Sequence, residues 1–275
     1  MKSMDDTLLR HIRACNNAVL PGGRVRLAVS GQHVGWLAPA LAERIVELGG
    51  ARRADAVSLL GDQLQPVARA LADEGRFPWR GEAFDVRATP DGEPLGQIDR
   101  GALPALGLMA LGVHVNGLVE SGGKTRLWVA RRAKDKLLDP GKLDHLVAGG
   151  VAAGHGVWDT LLKEAGEEAG LPADLARHAK HVGKISYAME RQEGLRRDCL
   201  HCYDLFLPET FVPHPQDREV ERFELWELDV VLDTVRRTDA FKFNVNLVLI
   251  DLFLRRTMLE PGDAAVLRRA LDRGG

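Results

Sequence analysis

Glu164, Glu167 and Glu168 stand at positions i, i+3 and i+4, so a helix through them carries three carboxylates on one face. Two such charges about 5 Å apart repel by roughly 3 kcal/mol at an effective dielectric near 20. Lys163 is the only basic residue inside the segment VWDTLLKEAGEEA. A divalent cation reverses the sign of that interaction. Mg²⁺ or Mn²⁺ takes oxygen ligands, usually a few carboxylates completed by water and phosphate oxygens, and a glycine-rich stretch, AGGVAAGHG, lies immediately upstream. The cluster therefore suits a metal–diphosphate complex. Gly166 costs the helix about 1 kcal/mol relative to alanine, so local stability does not account for the segment. Taken alone, three neighbouring glutamates fit a solvated acidic helix face better than a metal site, and their surroundings decide the matter.

Those surroundings predict a mixed α+β chain. The acidic helix is expected over Val157–Ala169, stopped by Gly170 and Pro172. Before it, GVHVNGLVE and TRLWVARR alternate around the turn SGGK and predict a hairpin, followed by the basic stretch RRAKDK and a loop through LLDPGKLDHL. AGGVAAGHG reads as a turn. After the helix, KISYAM, CLHCYDLFL and EVERFELWEL predict strands, and ELDVVLDTVRR, NVNLVLIDLFLRR and DAAVLRRALDR predict helices. Residues 1–104 read as a small α+β domain: a helix near Asp5–Cys15, strands RVRLAVS and HVGWLA, a helix opened by Pro39, a second over Asp62–Gly75, and a hairpin of FDVRA with PLGQIDR. Both terminal helices are expected to be packing elements. Residues 105–275 read as the second domain.

The segment GGVAAGHGVWDTLLKEAGEEAGL, from Gly149 to Leu171, resembles the Nudix box, whose spacing is preserved throughout. The resemblance implies that Glu164, Glu167 and Glu168 bind divalent cations and activate water, that Gly149 lends a carbonyl to a metal, and that the fold is a Nudix α/β/α sandwich with a mixed sheet. Two positions depart from the box. His155 replaces an early glutamate and Lys163 an arginine, which weakens a loop-to-helix ion pair. Beyond the box, GVHVNG, LWVARRAKDK, PGKLDHLVAGG, GKISYA, FVPHPQDREVERFEL and FKFNVNLVLIDLFLRR look like a subgroup related to the Nudix region fused to thiamine pyrophosphokinase. That likeness implies hydrolysis of thiamine diphosphate analogues, chiefly oxidised forms, to the monophosphate and phosphate. It also implies a further metal ligand at Glu219, with Glu221 second, and weaker pocket candidates at Lys242 and Asn244. Arg131, Arg132, Lys134, Lys136 and Lys163 are candidates to hold the diphosphate, although strand alternation lets at most one of Arg131 and Arg132 face the pocket. Glu164 is nominated as the base.

Composition narrows the partners. Lys plus Arg (37) nearly balances Asp plus Glu (39), and the formal net charge of -2 gives no sign of a nucleic-acid or anionic-membrane surface. A small-molecule diphosphate is the expected partner, and a homodimer is possible on sequence alone. Ala102–Val119 carries no charge, but its glycines and Pro104 suit a loop and buried strand rather than a membrane helix. With three cysteines a reducing compartment, the cytoplasm, is expected, and the acidic start MKSMDDTLLRHI predicts a mature chain beginning near Met1. Cys199 and Cys202 point to opposite faces of a strand and read as structural. His155 reads as a solvated loop residue. Two other functions stay open: hydrolysis of ADP-ribose or dinucleotides, and a non-catalytic ligand-binding module.

Overall fold

A computed structural model describes residues 6–216 and 218–274. Met1 and Asp5, where the chain start and the first helix were read, lie outside the described residues, as does Asp217 within FVPHPQDREVERFEL. The N-terminal part runs α1 (Asp6–Cys15), β1 (Val25–Val29), β2 (Gln32–Leu37), α2 (Pro39–Glu47), β3 (Ala51–Arg53), β4 (Ala56–Leu59), α3 (Leu64–Asp73), β5 (Ala83–Val86), β6 (Gly96–Asp99) and α4 (Ala102–Ala105). Pro39 occupies the start of α2, where its missing N–H has no helical partner to lose. β1 to β4 form a sheet of order β2-β1-β4-β3, and β5 pairs antiparallel with β6. Their apolar side chains, among them Leu27, Ile45, Leu64, Phe84 and Ile98, make one core.

The C-terminal part contains β7 (Met109–Ser121), β8 (Lys124–Arg132), β9 (Leu143–Asp144), β10 (Val147–Gly150), α5 (Val157–Ala169), α6 (Ala173–Ala176), β11 (Lys180–Arg191), β12 (Gly194–Phe206), β13 (Val220–Glu227), α7 (Leu228–Arg237), α8 (Val245–Arg255) and α9 (Pro261–Asp272). Its seven strands form a mixed sheet of order β11-β12-β7-β8-β13, with β10 on β7 and β9 on β8. The β12–β7 pair is parallel and the β7–β8 pair antiparallel. Alternation along β8 divides the sheet's two faces. Trp128 joins Leu161, Ala165 and Ala169 of α5 on one side, while Leu127 and Val129 join α1, α7, α8 and α9 on the other. The expected α+β sandwich with a mixed sheet is thus present.

The structure departs from the sequence reading in three places. Ala148–Gly150, read as the start of a turn, form β10 together with Val147, because their backbone pairs with β7 although Ala148, Gly149 and Gly150 carry no strand pattern. Leu143–Asp144, read as loop, pairs with β8. α1 buries Leu8, Leu9, Ile12 and Cys15 in the C-terminal core rather than with the strands that follow it. Cys199 and Cys202 are buried and free, and Cys202 alone reaches the α8-side core.

Candidate active site

α5 brings the acidic residues to the sheet. Leu161, Ala165 and Ala169 fix its buried stripe, and Gly170 ends it in the left-handed conformation (φ 60°, ψ 26°), its N–H donating to the Gly166 carbonyl at 3.1 Å. Glu168 continues the buried stripe at 7% exposure, and its Oε2 accepts the Ala148 N–H of β10 at 2.8 Å. Burial pushes its carboxyl well above the usual range, against the pull of that N–H, and the carboxylates of Asp144, Glu164 and Glu219 add to the shift. Glu164 is also raised, first by burial and then by Glu167 and Glu219, with Lys163 opposing.

β10 passes so close to this helix that a Cβ on Gly149 would lie 2.5 Å from Glu164 Cγ. Only glycine lets the backbone rest against that carboxylate. Glu167 projects outward and pairs with Lys163 at 2.7 Å, while the same ammonium lies 3.3 Å from Glu164. Glu219, just before β13, pairs with Lys136. Glu219 and Glu168 line a small cavity of about 10 Å³ together with Arg132, Asp144, His145 and Ala148, about the room that one water needs.

Several expected site residues are committed elsewhere. Arg132 lines the cavity, yet its guanidinium is held by Asp144 (2.8 Å) and the carbonyls of Leu138 (3.0 Å) and Asp139 (3.2 Å). Arg131 donates to the Gly141 carbonyl at 2.9 Å and does not line the cavity. Lys134 is exposed in the loop after β8, and His155 is exposed before α5. Glu221 is exposed, with Arg222 at 3.8 Å. Asn244 is buried at the start of α8, and its Oδ1 has no hydrogen-bond partner.

Sequence reasoning passed over Asp144, His114 and His145. Asp144 is 4% exposed and holds two cations, Arg132 and Lys242, the latter at 3.5 Å. Burial opposes its ionisation, but those cations overcome it and hold the carboxyl below the usual range. The Nδ1 atoms of His114 and His145 lie 2.9 Å apart, so one ring donates and the other accepts. Burial keeps both imidazoles neutral: His114 is lowered further by His145, and His145 is lowered to about 4 with Lys242 adding to burial and Asp144 opposing. His114, Asp144 and His145 could converge on one ion by distance alone. Arg132 and Lys242 already neutralise Asp144 and would repel that ion, which makes the trio a folding network. A usable signal was present in the sequence: an acid–histidine pair set inside the apolar run LDHLV.

The carboxylate face of α5 offers an all-oxygen donor set that suits Mg²⁺ or Mn²⁺. Its buried, mutually repelling members are what a divalent cation would relieve. Residues 110–245 match the NUDIX domain family model. Residues 110–245 are a Nudix domain. The chain is 40% identical over 202 residues to "Nudix hydrolase 20, chloroplastic" of Arabidopsis thaliana, covering 73% of this chain and 54% of that one. It is 41% identical over 196 residues to "Nudix hydrolase 24, chloroplastic" of the same plant, covering 71% and 54%. The chain therefore spans about half the length of these relatives. A crystal structure of DR0079 from Deinococcus radiodurans superposes on it with a TM-score of 0.47 at 23% identity, covering 61% of this chain and 97% of that one.

Within the Nudix domain, the helix glutamates, Gly149 and Glu219 are thus drawn to one region, with Lys163 and Lys136 paired to them. Arg131 and Asn244 are not among the residues around the cavity.

Proposed function

We propose that this chain is a Mg²⁺- or Mn²⁺-dependent diphosphate hydrolase, with thiamine diphosphate analogues, chiefly oxidised forms, as its substrates. The observation that carries the reading is the carboxylate face of Glu164, Glu167 and Glu168, with Glu164 laid against Gly149 and Glu168 bonded to Ala148. The subgroup likeness of PGKLDHLVAGG and FKFNVNLVLIDLFLRR supports the substrate class. Hydrolysis adds water across one P–O–P bridge and releases the monophosphate and phosphate. A bound divalent cation would offset phosphoryl charge and lower the pKa of a water. Glu164, Glu167, Glu168 and Glu219 would hold it, with the Gly149 carbonyl beside them. Glu164, raised by burial, is suited to take the proton from the attacking water, and the Ala148 N–H fixes Glu168 beside the cavity that it lines. Lys134 and the lysines now paired to glutamates, Lys163 and Lys136, would hold phosphate oxygens.

Residues 105–275 are proposed as the hydrolase domain and residues 1–104 as a cover for the organic end of the substrate. The free, buried cysteines support a reducing compartment such as the cytoplasm, although the two plant relatives are named as chloroplastic. No described helix is long and apolar enough to cross a membrane. The test is phosphate release over a panel of diphosphates with Mg²⁺, using Glu167→Gln as the blank. Oxothiamine diphosphate should be turned over in preference to ADP-ribose, and the substitution should lower the rate roughly 100-fold or more. A large preference for ADP-ribose overturns the thiamine assignment, and ligand binding without metal-stimulated phosphate release overturns the enzyme reading.

A further inference from the structure

The segment from Gly149 to Gly156 leads from the end of β10 into α5 and carries the Gly149 carbonyl, so its conformation matters to any ion the carboxylates gather. In the family pattern an early glutamate and the helix arginine tie this loop to the helix. Here those positions hold His155, which is exposed, and Lys163, whose ammonium is turned to Glu164 and Glu167. The loop is instead gripped from the N-terminal hairpin. The Ala153 N–H donates to the Ala83 carbonyl at 2.8 Å, which extends β5 onto the loop. The Gly154 N–H approaches Asp85 Oδ2 at 3.4 Å, and Asp85 is itself nearly buried and fixed by Arg87 at 2.9 Å. The Phe84 ring lies under Gly150 so closely that a Cβ there would come within 2.9 Å of its Cζ. Arg100 covers the ring at 5.5 Å from its centroid. A second tie, Asp91 to Lys184 at 2.6 Å, anchors the same hairpin to β11.

We propose that Phe84 and Asp85 are positioning residues of the hydrolase: the β5–β6 hairpin replaces the missing loop-to-helix ion pair and holds Gly149 against Glu164. Neither residue touches the carboxylates, and both act through the loop. The inference rests on the hydrolase reading, but its decisive measurements do not. The full chain carrying Phe84→Ala, or Phe84→Leu where alanine unsettles the N-terminal core, is compared with Asp85→Ala. Amide exchange at Ala153 and Gly154, and Mn²⁺ binding by calorimetry, are read on each. Exchange at Ala153 should accelerate roughly 10-fold or more, and Mn²⁺ affinity should fall about 10-fold, the scale of lost outer-shell support around a metal. With substrate, kcat should fall about 10-fold while KM changes less than about twofold, because geometry rather than substrate contact is lost.

The discriminating arm restores the family's own lock. His155→Glu with Lys163→Arg, added to Phe84→Leu, should recover Mn²⁺ affinity to within about threefold of the parent protein. Folded Phe84→Leu and Asp85→Ala proteins with unchanged exchange and Mn²⁺ affinity overturn the proposal, as does a restored ion pair that recovers nothing. A parent protein that binds Mn²⁺ but releases no phosphate from any diphosphate sinks the hydrolase reading alone, and the clamp is still judged by exchange and binding.

Discussion

Replacing Asp144 by Asn should destabilise the protein far more than its modest change in shape suggests. The carboxylate is buried, with 5% of its side chain exposed, and it faces Arg132 at 2.8 Å and Lys242 at 3.5 Å, each with only 11% of its side chain exposed. Asparagine keeps the volume but leaves two cations in a low-dielectric site without a counter-charge. Breaking a buried pair in this way costs about 3–5 kcal/mol. At roughly 2–4 °C per kcal/mol for a chain of this size, Tm should fall by about 6–20 °C. Arg132 retains the carbonyls of Leu138 and Asp139, so Lys242 is the more exposed to the loss, and Asp144→Asn combined with Lys242→Met should recover part of it. The sign of the pH dependence follows from the depressed carboxyl. Its contribution is complete above the unfolded value near 4 and disappears only as pH falls below it, so the gap between parent and variant should close in acid. Urea unfolding at pH 7 and pH 3 measures both effects. An Asp144→Asn protein within about 1 kcal/mol of the parent at pH 7 would refute the reasoning and mean that water reaches Asp144.

Two further outcomes are expected. Gly149→Ala should cost about 1–3 kcal/mol in urea unfolding and weaken Mn²⁺ binding, because its Cβ would lie 2.5 Å from Glu164 Cγ; normal stability and affinity together would count against the packing of β10 on α5. His201 is 7% exposed and its imidazole is lowered to about 4, first by burial and then by Lys184 and His181, so the unfolded chain takes up its proton near 6.5 and the folded one does not. Stability should fall as pH drops from about 6.5 to 4, by up to about 3 kcal/mol from this group, and His201→Gln should flatten that slope in a series of urea midpoints; an unchanged slope assigns the acid sensitivity to other histidines.

The acidic helix was legible from sequence because its signals are local: three glutamates on one face, an apolar stripe beside them, and Gly170 at a position that demands a left-handed backbone. The opposed directions of Cys199 and Cys202 followed likewise from strand alternation. What escaped depends on partners distant in the chain. β10 is a strand only because β7, over 30 residues earlier, supplies its hydrogen bonds, and Ala148, Gly149 and Gly150 carry no side-chain pattern to announce it. α1 read as part of the small N-terminal domain, yet its apolar residues pack with those of α8 and α9. Arg132 read as a phosphate ligand because guanidinium groups favour phosphate oxygens, and Lys242 as a pocket residue from the family resemblance alone. The anion turned out to be Asp144, whose place inside the apolar run LDHLV hints at burial but not at which cations it meets.

These charges divide into two kinds by what they cost to separate. Lys163 with Glu167, and Lys136 with Glu219, sit at the rim with about half of each glutamate side chain exposed. Such pairs are worth roughly 0–1 kcal/mol, so a divalent cation can displace the ammonium at little expense, and a lysine released in this way is free to meet phosphate oxygens. Beneath them, Asp144 with Arg132 and Lys242 is buried and far costlier to open. Lys242 belongs to the chain segment bonded to β9, with its N–H on the Leu143 carbonyl and the Leu143 N–H on Ala240. The inner charges therefore tie α8 to the floor of the cavity, and the outer ones keep the carboxylates accompanied but exchangeable. A site built the other way round, with the lysines buried and Asp144 exposed, would hold its own cations too tightly to accept a metal.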